Sequence, residues 1–385
     1  MKTSYANIPY GKIIHIGLFY LFYFSTVGVY IVFMPKLLKS YGLDATDVGI
    51  IYASGPFMRF LLPFAFRHFL HLSHNVYKIA LVVGFLSAML MLLMLDSFWA
   101  FLFANLIFGA SAGVILPFVD TIALQNISKE HYGKARLWGS IGFIATALAL
   151  GSFLHNPYDG IVALGIDTLL TLVFGFGIIK YDSNIQKEDS PKKLNQNFSL
   201  IKYWAFWVST FLLQVSFGGF YNFFTIYEAD HSIPIQTIGY LWSFGVICEI
   251  VIFYFQAPLL KKDPLSLLKL TTASAVIRWG LLYLYPGSII MTYISQSLHA
   301  FSFALYYTTV ISYTYQLYSQ KKLAQQFLLG LSFGLGGSVG AALAGWIYDI
   351  DSSVLFGFEA IVAALSLGFI YLHQMRKEYI YAKEV

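Results

Sequence analysis

Residues 238–255 read IGYLWSFGVICEIVIFYF, an apolar run interrupted by a single carboxylate, Glu249. A helix needs about 20 mostly apolar residues to cross a bilayer, and this run with its flanks (236–259) meets that length. Similar runs lie at 13–35, 47–66, 77–95, 98–124, 137–155 and 160–179, and again at 203–227, 265–285, 288–318, 323–348 and 353–373. The sequence therefore predicts an all-α membrane protein of twelve transmembrane helices, in two sets of six. Composition points the same way: 58% of the 385 residues are hydrophobic, only 11% are charged, and the mean hydropathy is +0.68. A soluble chain carries about 25% charged residues. The solvent here is lipid.

The N-terminal MKTSYANIPYGK leads into the first run without a small-residue cleavage site, so that helix is read as retained. The one cysteine, Cys248, excludes an internal disulfide. With the N-terminus inside, 20 of the 24 Lys and Arg residues fall on the cytoplasmic side; Lys36 and Lys39 fall outside, and Arg59 and Arg278 lie within spans. Short loops rich in Lys and Arg stay in the cytoplasm. Both termini are thus expected to be cytoplasmic, in a bacterial cytoplasmic (inner) membrane. Because these cations flank membrane helices, the net charge of +5 is not a nucleic-acid signal.

The longest polar stretch, KYDSNIQKEDSPKKLNQNFS (180–199), divides the chain near its middle and reads as a flexible linker. The halves share weak, ordered matches. An offset of 191 sets Ser25 on Ser216, Gly28 on Gly219, Tyr30 on Tyr221 and Phe33 on Phe224. Offsets of 190 and 194 superpose Gly49 on Gly239, Arg59 on Glu249 and Gly142 on Gly336. The expected organisation is an N-terminal six-helix bundle (1–179), a cytoplasmic linker (180–200) and a C-terminal six-helix bundle (201–385). Two repeated halves of six helices describe the major facilitator architecture, with substrate held at mid-membrane between them.

Charges inside a span cost about 2.5–3.5 kcal/mol each and face a cavity or a partner. The clear cases are Arg59, Asp120, Glu249 and Arg278, joined by His299; Asp167 and Glu359 fall nearer the outer ends of their runs. The preferred pairing is Glu249 with Arg278, on consecutive helices. A carboxylate changes its proton affinity according to whether a cation stands beside it, so a substrate that displaces Arg278 could switch Glu249 between charged and protonated states. A static ion pair holding two helices together is the alternative. His299 could relay a proton or simply hydrogen-bond across helices, for instance with Gln296. Asp120 follows Pro117 by three residues, where the helix lacks an N–H; a gate, a proton site and a cap-like bond to nearby backbone all remain open.

Gly330, Gly334, Gly336, Gly337, Gly340 and Gly345 crowd one run without dinucleotide-fingerprint spacing, and no G-x-x-x-x-G-K-[ST] occurs, so the glycines read as close helix packing. Neither a cofactor nor a metal is expected. Tyr30, Tyr221 and Tyr306, on the first, seventh and tenth runs, would offer a ring face and a hydroxyl to substrate.

Several stretches carry a resemblance: YGKARLWGSIGF (132–143), IGYLWSFGVICEIVIF (238–253), IRWGLL (277–282), QSLHAFSFALYY (296–307) and LSFGLGGSVGAALAGWIYD (331–349). Together they resemble the phenylpropionate permease family of major facilitator transporters, kin of the oligosaccharide/proton symporters. The resemblance implies that Glu249, Arg278 and His299 form the coupling site, and that Arg136 either binds substrate or anchors at the cytoplasmic surface. Two departures stand out. The sugar symporters place an acid three residues after the histidine, where this chain has Ser302. The superfamily's loop signature after helix 2 is degraded here to FRHFLHLSHNVYK (66–78).

The expectation is a monomeric, proton-coupled importer of a small organic solute, with an aromatic carboxylate of the phenylpropionate type as first choice. Proton coupling is assigned to Glu249, His299 and Asp120, and substrate contact to Arg278, Arg59, Tyr30, Tyr221, Gln296, Tyr306 and Arg136. Cargo of saccharide or nucleoside type, or export of a drug or metabolite, is the alternative. A membrane sensor is disfavoured, since the longest loop is about 20 residues and leaves no room for an output domain, and no paired nucleophile and base suggests an enzyme.

Overall fold

The computed structural model describes residues 10–68, 73–127, 129–153, 157–181 and 199–384, and every regular element within them is a helix. Residues 1–9, 69–72 of the degraded loop signature, and 182–198 of the linker lie outside the described residues. In lipid each backbone N–H and C=O must find its partner within the segment, which a helix achieves and an open strand does not. In chain order the helices are α1 (10–40), α2 (Ala45–His68), α3 (His74–Leu93), α4 (Phe98–Asn126), α5 (Lys129–Phe153) and α6 (157–181). There follow α7 (201–230), α8 (Ile235–Phe255), α9 (Pro264–Leu284), α10 (289–317), α11 (321–351) and α12 (Leu355–Glu384).

Eight stretches among the described residues are long and apolar enough to cross a membrane, the last of them covering α11 and α12 together. α7 is divided at Ser216–Phe217, so neither of its pieces reaches that length, and α10 is divided at Leu298. The chain is an all-helical, multi-pass membrane protein.

Irregularities in these helices fall where the sequence weakens the ladder. Pro35 follows a π-helical turn at Val29–Phe33 in α1; α2 contains Pro56 and Pro63, and α4 contains Pro117. Further π-helical turns occupy Ala300–Leu305 in α10 and Leu328–Gly336 in α11. The ninth and tenth runs part at Tyr285-Pro286-Gly287, where the chain turns at Gly287 with φ +71°. A residue with a Cβ would be strained there.

α1 packs on α5 and α6, α3 on α4 and α6, and α2 on α4; α7 packs on α11 and α12, α8 on α10, and α9 on α10 and α12. The most extensive contacts joining the early helices to the late ones are α2 with α11 and α5 with α8. Glycine makes both possible. A Cβ on Gly49 would stand 2.7 Å from the Ala341 carbonyl oxygen and 2.8 Å from the Gly345 Cα, and one on Gly239 would stand 2.5 Å from the Ala147 carbonyl oxygen. The α11 glycines therefore act as expected, as points where backbones meet; no nucleotide-binding turn is formed, since Gly334, Gly340 and Gly345 press on Phe60, Val215 and Gly49.

Candidate functional site

Between these helices runs a cavity of about 3450 Å³. Its wall is built mainly from α1, α2, α4 and α5 on one side and α7, α8, α10 and α11 on the other; among the described residues α9 and α12 contribute nothing to it. At one end the lining continues to His74 at the start of α3, Lys134 after the α4–α5 turn, and Lys321 after the α10–α11 turn, so the mouth opens there. The opposite end is shut. There the Asp349 carboxylate of α11 accepts the first backbone N–H groups of α2, from Ala45 at 2.9 Å and Thr46 at 2.6 Å, directly above the Gly49–Gly345 contact. A carboxylate on the exposed N–H groups of a helix start is electrostatically favourable.

Glu249 of α8 reaches into the cavity, with its Oε2 3.5 Å from His299 Nε2 of α10. The acid side chain is 19% exposed and the imidazole 6%, so cavity water reaches Glu249 first. His299 lies flat on Phe303, with ring centroids 5.1 Å apart, and its Nδ1 has no hydrogen-bond partner. The cation whose field reaches Glu249 is Arg136, across the cavity on α5.

The expected pairing of Glu249 with Arg278 is not formed. Arg278 is fully buried in α9 behind the cavity wall. Its Nε donates to the Ser295 carbonyl at 3.0 Å, one terminal nitrogen to the Ser302 hydroxyl at 3.2 Å, and the other to Gln296 Oε1 at 3.1 Å. The guanidinium lies 4.2 Å from the Phe220 ring centroid and 4.5 Å from that of Trp279. Three neutral oxygens and two aromatic faces can hold a guanidinium without a carboxylate, so sequence adjacency of α8 and α9 does not bring these two charges together. Arg278 is accordingly not a wall residue open to substrate. Gln296 is on the wall, with Oε1 committed to Arg278 and Nε2 unpartnered; it makes no bond to His299.

Tyr306 is a second correction. It is buried, its hydroxyl has no partner, and it is absent from the wall, whereas Tyr307 lines it. The π-helical turn at Ala300–Leu305 is the cause. A π-turn takes in one extra residue, which rotates everything beyond it by about 100°.

Arg59, Arg136 and Asp120 do line the cavity. Arg59 projects into it and, among the described residues, makes no hydrogen bond or ion pair; Pro63, four residues on, leaves its carbonyl without the helical N–H partner. Arg136 lies 4.1 Å from the Phe24 ring centroid and 5.0 Å from that of Tyr20. Asp120 accepts hydroxyl bonds from Tyr20 at 2.5 Å and Tyr132 at 3.1 Å, so its partners are side chains rather than neighbouring backbone. Tyr30 donates to Asn105 Oδ1 at 2.7 Å and its ring lies tilted against that of Tyr52, centroids 4.6 Å apart, and Tyr221 stacks on Phe217. Both tyrosines face the cavity.

Residues 13–358 match the MFS_1 like family. The chain belongs to that family. Two transporters resemble the chain over most of its length. It is 26% identical over 372 residues to the "Probable 3-phenylpropionic acid transporter" of Escherichia coli (strain K12), covering 90% of this chain and 94% of that protein. With the "Sucrose permease" of Escherichia coli it shares 24% over 302 residues, 72% of this chain and 70% of that one. Among solved structures, the nucleoside transporter NupG superposes with a TM-score of 0.75 at 16% identity, over 94% of this chain and 98% of that one, which establishes the fold. The resemblance to the phenylpropionate permease family of major facilitator transporters therefore stands, and the chain is a transporter rather than an enzyme.

Sequence reasoning passed over several polar residues that the structure uses. Asn105 receives the Tyr30 hydroxyl and donates to the Ile51 carbonyl at 2.7 Å and the Ser54 hydroxyl at 2.9 Å, tying α4 to α1 and α2. Gln214 and Asn222 line the cavity from α7, and Glu228 is buried near its end. Each is an amide or acid inside an apolar run, the signal already read for the charged residues.

Proposed function

We propose that this protein is a proton-coupled importer of a small organic anion, with an aromatic carboxylate of the phenylpropionate kind as cargo. It works by alternating access in a bacterial inner membrane. The observation that carries the reading is one cavity, open at one face only, that presents an unpaired arginine, Arg59, and an acid–imidazole pair, Glu249 and His299. Arg59 is the partner for a substrate carboxylate, and Arg136 stands across the same space. The aromatic rings of Tyr30, Tyr221 and Tyr307 supply faces for a phenyl group.

Twelve crossings in two six-helix bundles, residues 1–179 and 201–385, joined by a cytoplasmic linker at 180–200, account for the packing. The cavity mouth lies at the face carrying Lys134 and Lys321, and the positive-inside rule makes that face cytoplasmic, which supports an inward-open state; the transporter works as a monomer. A proton on Glu249 removes the charge that attracts His299. Loss of that attraction lets α8 and α10 repack as the loaded carrier turns inward. The proton, taken up from the outer side, then leaves Glu249 through the open cavity to the cytoplasm with the cargo. Asp120, held by two tyrosines near the mouth, supports the closing contact. The relative named as a probable 3-phenylpropionic acid transporter supports the choice of cargo. A saccharide is the second reading, favoured by the amides Gln214 and Asn222 on the wall.

The test is uptake by proteoliposomes under an imposed inward pH gradient, with labelled 3-phenylpropionate, sucrose and a nucleoside offered separately. Gradient-dependent accumulation of the aromatic acid alone supports the proposal. Accumulation of sucrose alone moves the cargo to the second reading. No dependence on the gradient for any of the three removes proton coupling.

A further inference from the structure

Tyr30 and Tyr221 occupy matching positions in the two halves, and each faces the cavity from a ring cluster of its own. Tyr30 is joined by Tyr52 of α2, with ring centroids 4.6 Å apart, and by Phe108 of α4, at 5.8 Å. All three line the cavity. Tyr221 is joined by Phe217 at 5.8 Å and Phe303 at 6.3 Å. The two recesses differ in what they offer a ligand.

In the first recess the polar side chains are spent on one another and on backbone. The Tyr30 hydroxyl donates to Asn105 Oδ1 at 2.7 Å, Asn105 Nδ2 donates to the Ile51 carbonyl and the Ser54 hydroxyl, and Ser54 donates to Ile51 in turn. The Tyr52 hydroxyl donates to the Tyr30 carbonyl at 2.5 Å. That carbonyl is free because the π-turn pairs residues five apart, as Met34 N–H does with the Val29 carbonyl, and the next donor in that register is Pro35, which has no N–H. With both hydroxyls tied into the wall, the recess presents ring faces. Such a surface suits an unsubstituted aryl group and cannot hold a carboxylate, which needs donors. The second wall is different: Gln296 Nε2 and His299 Nδ1 lack partners, and the Glu249 carboxyl is within electrostatic reach of Tyr221.

Arg59 supplies the other end. Its stem leans on α4 at Gly113, where a Cβ would stand 3.3 Å from the Arg59 Cγ; one turn away α2 crosses α4, and a Cβ on Gly109 would stand 2.5 Å from the Gly55 Cα. Phe108 precedes Gly113 by five residues, about 7.5 Å of helix rise. Tyr52 precedes Arg59 on α2, so it lies on the side of the closed end, where Asp349 holds the start of that helix. Both arginines on the cavity wall, Arg59 and Arg136, belong to the first half.

We propose that the recess of Tyr30, Tyr52 and Phe108 is the subsite for the aromatic ring of the cargo, which binds with its ring toward the closed end and its carboxylate toward the mouth on Arg59. The inference rests on the cargo reading above and narrows it to acids whose aryl group has an apolar far edge and a short spacer to the carboxylate. Tyr221 and Tyr307 face the cargo from across the cavity. A sugar or a nucleobase in this recess leaves its polar groups without donors, which weakens its binding.

The photoreactive acid 3-(4-azidophenyl)propionate, whose azide marks the far edge of the ring, locates the subsite in the purified wild-type protein in nanodiscs. Labelling that excess 3-phenylpropionate suppresses should map to peptides carrying Tyr30, Tyr52 or Phe108. Suppressible labelling confined to α7 and α10 overturns the subsite and leaves the cargo reading standing; no suppressible labelling overturns both. In a second arm, calorimetry compares 3-phenylpropionate with 3-cyclohexylpropionate in Phe108→Leu. The aromatic acid should weaken about fivefold and the saturated one less than twofold, a change of ratio that a general loss of folding would not produce. An unchanged ratio overturns the proposal.

Discussion

Replacing Arg59 by Gln removes the cation that the cavity leaves unpaired, and the structure bounds the effect. A carboxylate docked about 4 Å from the guanidinium gains about 4 kcal/mol at an effective dielectric constant near 20, and a hydrogen bond to a charged group nets about 1.5–3 kcal/mol. The cavity is open to water at one face, so the lower part of that range applies. A loss of about 2 kcal/mol corresponds to roughly 30-fold weaker binding. Titration calorimetry of 3-phenylpropionate with the purified protein in nanodiscs measures this directly, with the neutral alcohol 3-phenylpropanol as control. The variant should weaken the acid and leave the alcohol unchanged. Arg59 makes no hydrogen bond or ion pair among the described residues, so thermal stability should hold. Wild-type affinity for the acid in Arg59→Gln, combined with its loss in Arg136→Gln, would refute the assignment and move the carboxylate to α5.

Asp349→Ala deletes two N–H···O bonds that fasten α11 to the start of α2; at about 1.5–3 kcal/mol for charge-assisted bonding, the closed end of the cavity should open in a fraction larger by tenfold or more, read as a longer spin-label distance between the ends of α2 and α11 that meet there. An unchanged distance distribution would show that the glycine contact alone holds the closure. Tyr306→Phe should leave the apparent KM for uptake within about twofold, because this hydroxyl faces no substrate, whereas Tyr307→Ala should raise it by about tenfold through loss of a wall ring. The reverse order would mean that the π-turn in α10 does not persist in the protein at work.

The helical architecture was legible because the bilayer imposes one rule on every segment, and the period and length of apolar runs carry it. The break between α9 and α10 could be read from Tyr285-Pro286-Gly287 because proline and glycine act locally. The charged residues were legible as important for the same reason: an ionisable group in an apolar run has a reason to be there. Partners were not legible. Glu249 and Arg278 lie on consecutive helices, yet α8 meets α10 through His299 while Arg278 turns behind the wall toward Ser295 and Ser302. That choice depends on helix rotation, which no local feature of the sequence reveals. Tyr306 was misplaced on the same grounds, since one extra residue in the Ala300–Leu305 turn exchanges its direction with that of Tyr307. Glu359 was seen as an intramembrane acid, but only the fold puts it on the amide of Gly219.

The most direct test of the coupling claim is accumulation of labelled 3-phenylpropionate in proteoliposomes driven by an inward pH gradient, comparing wild type with Glu249→Gln. The account predicts that the wild type concentrates the acid above the outside level and that the variant reaches equilibrium only, while still exchanging labelled for unlabelled acid across the membrane. Concentrative uptake by Glu249→Gln at the wild-type level would contradict it.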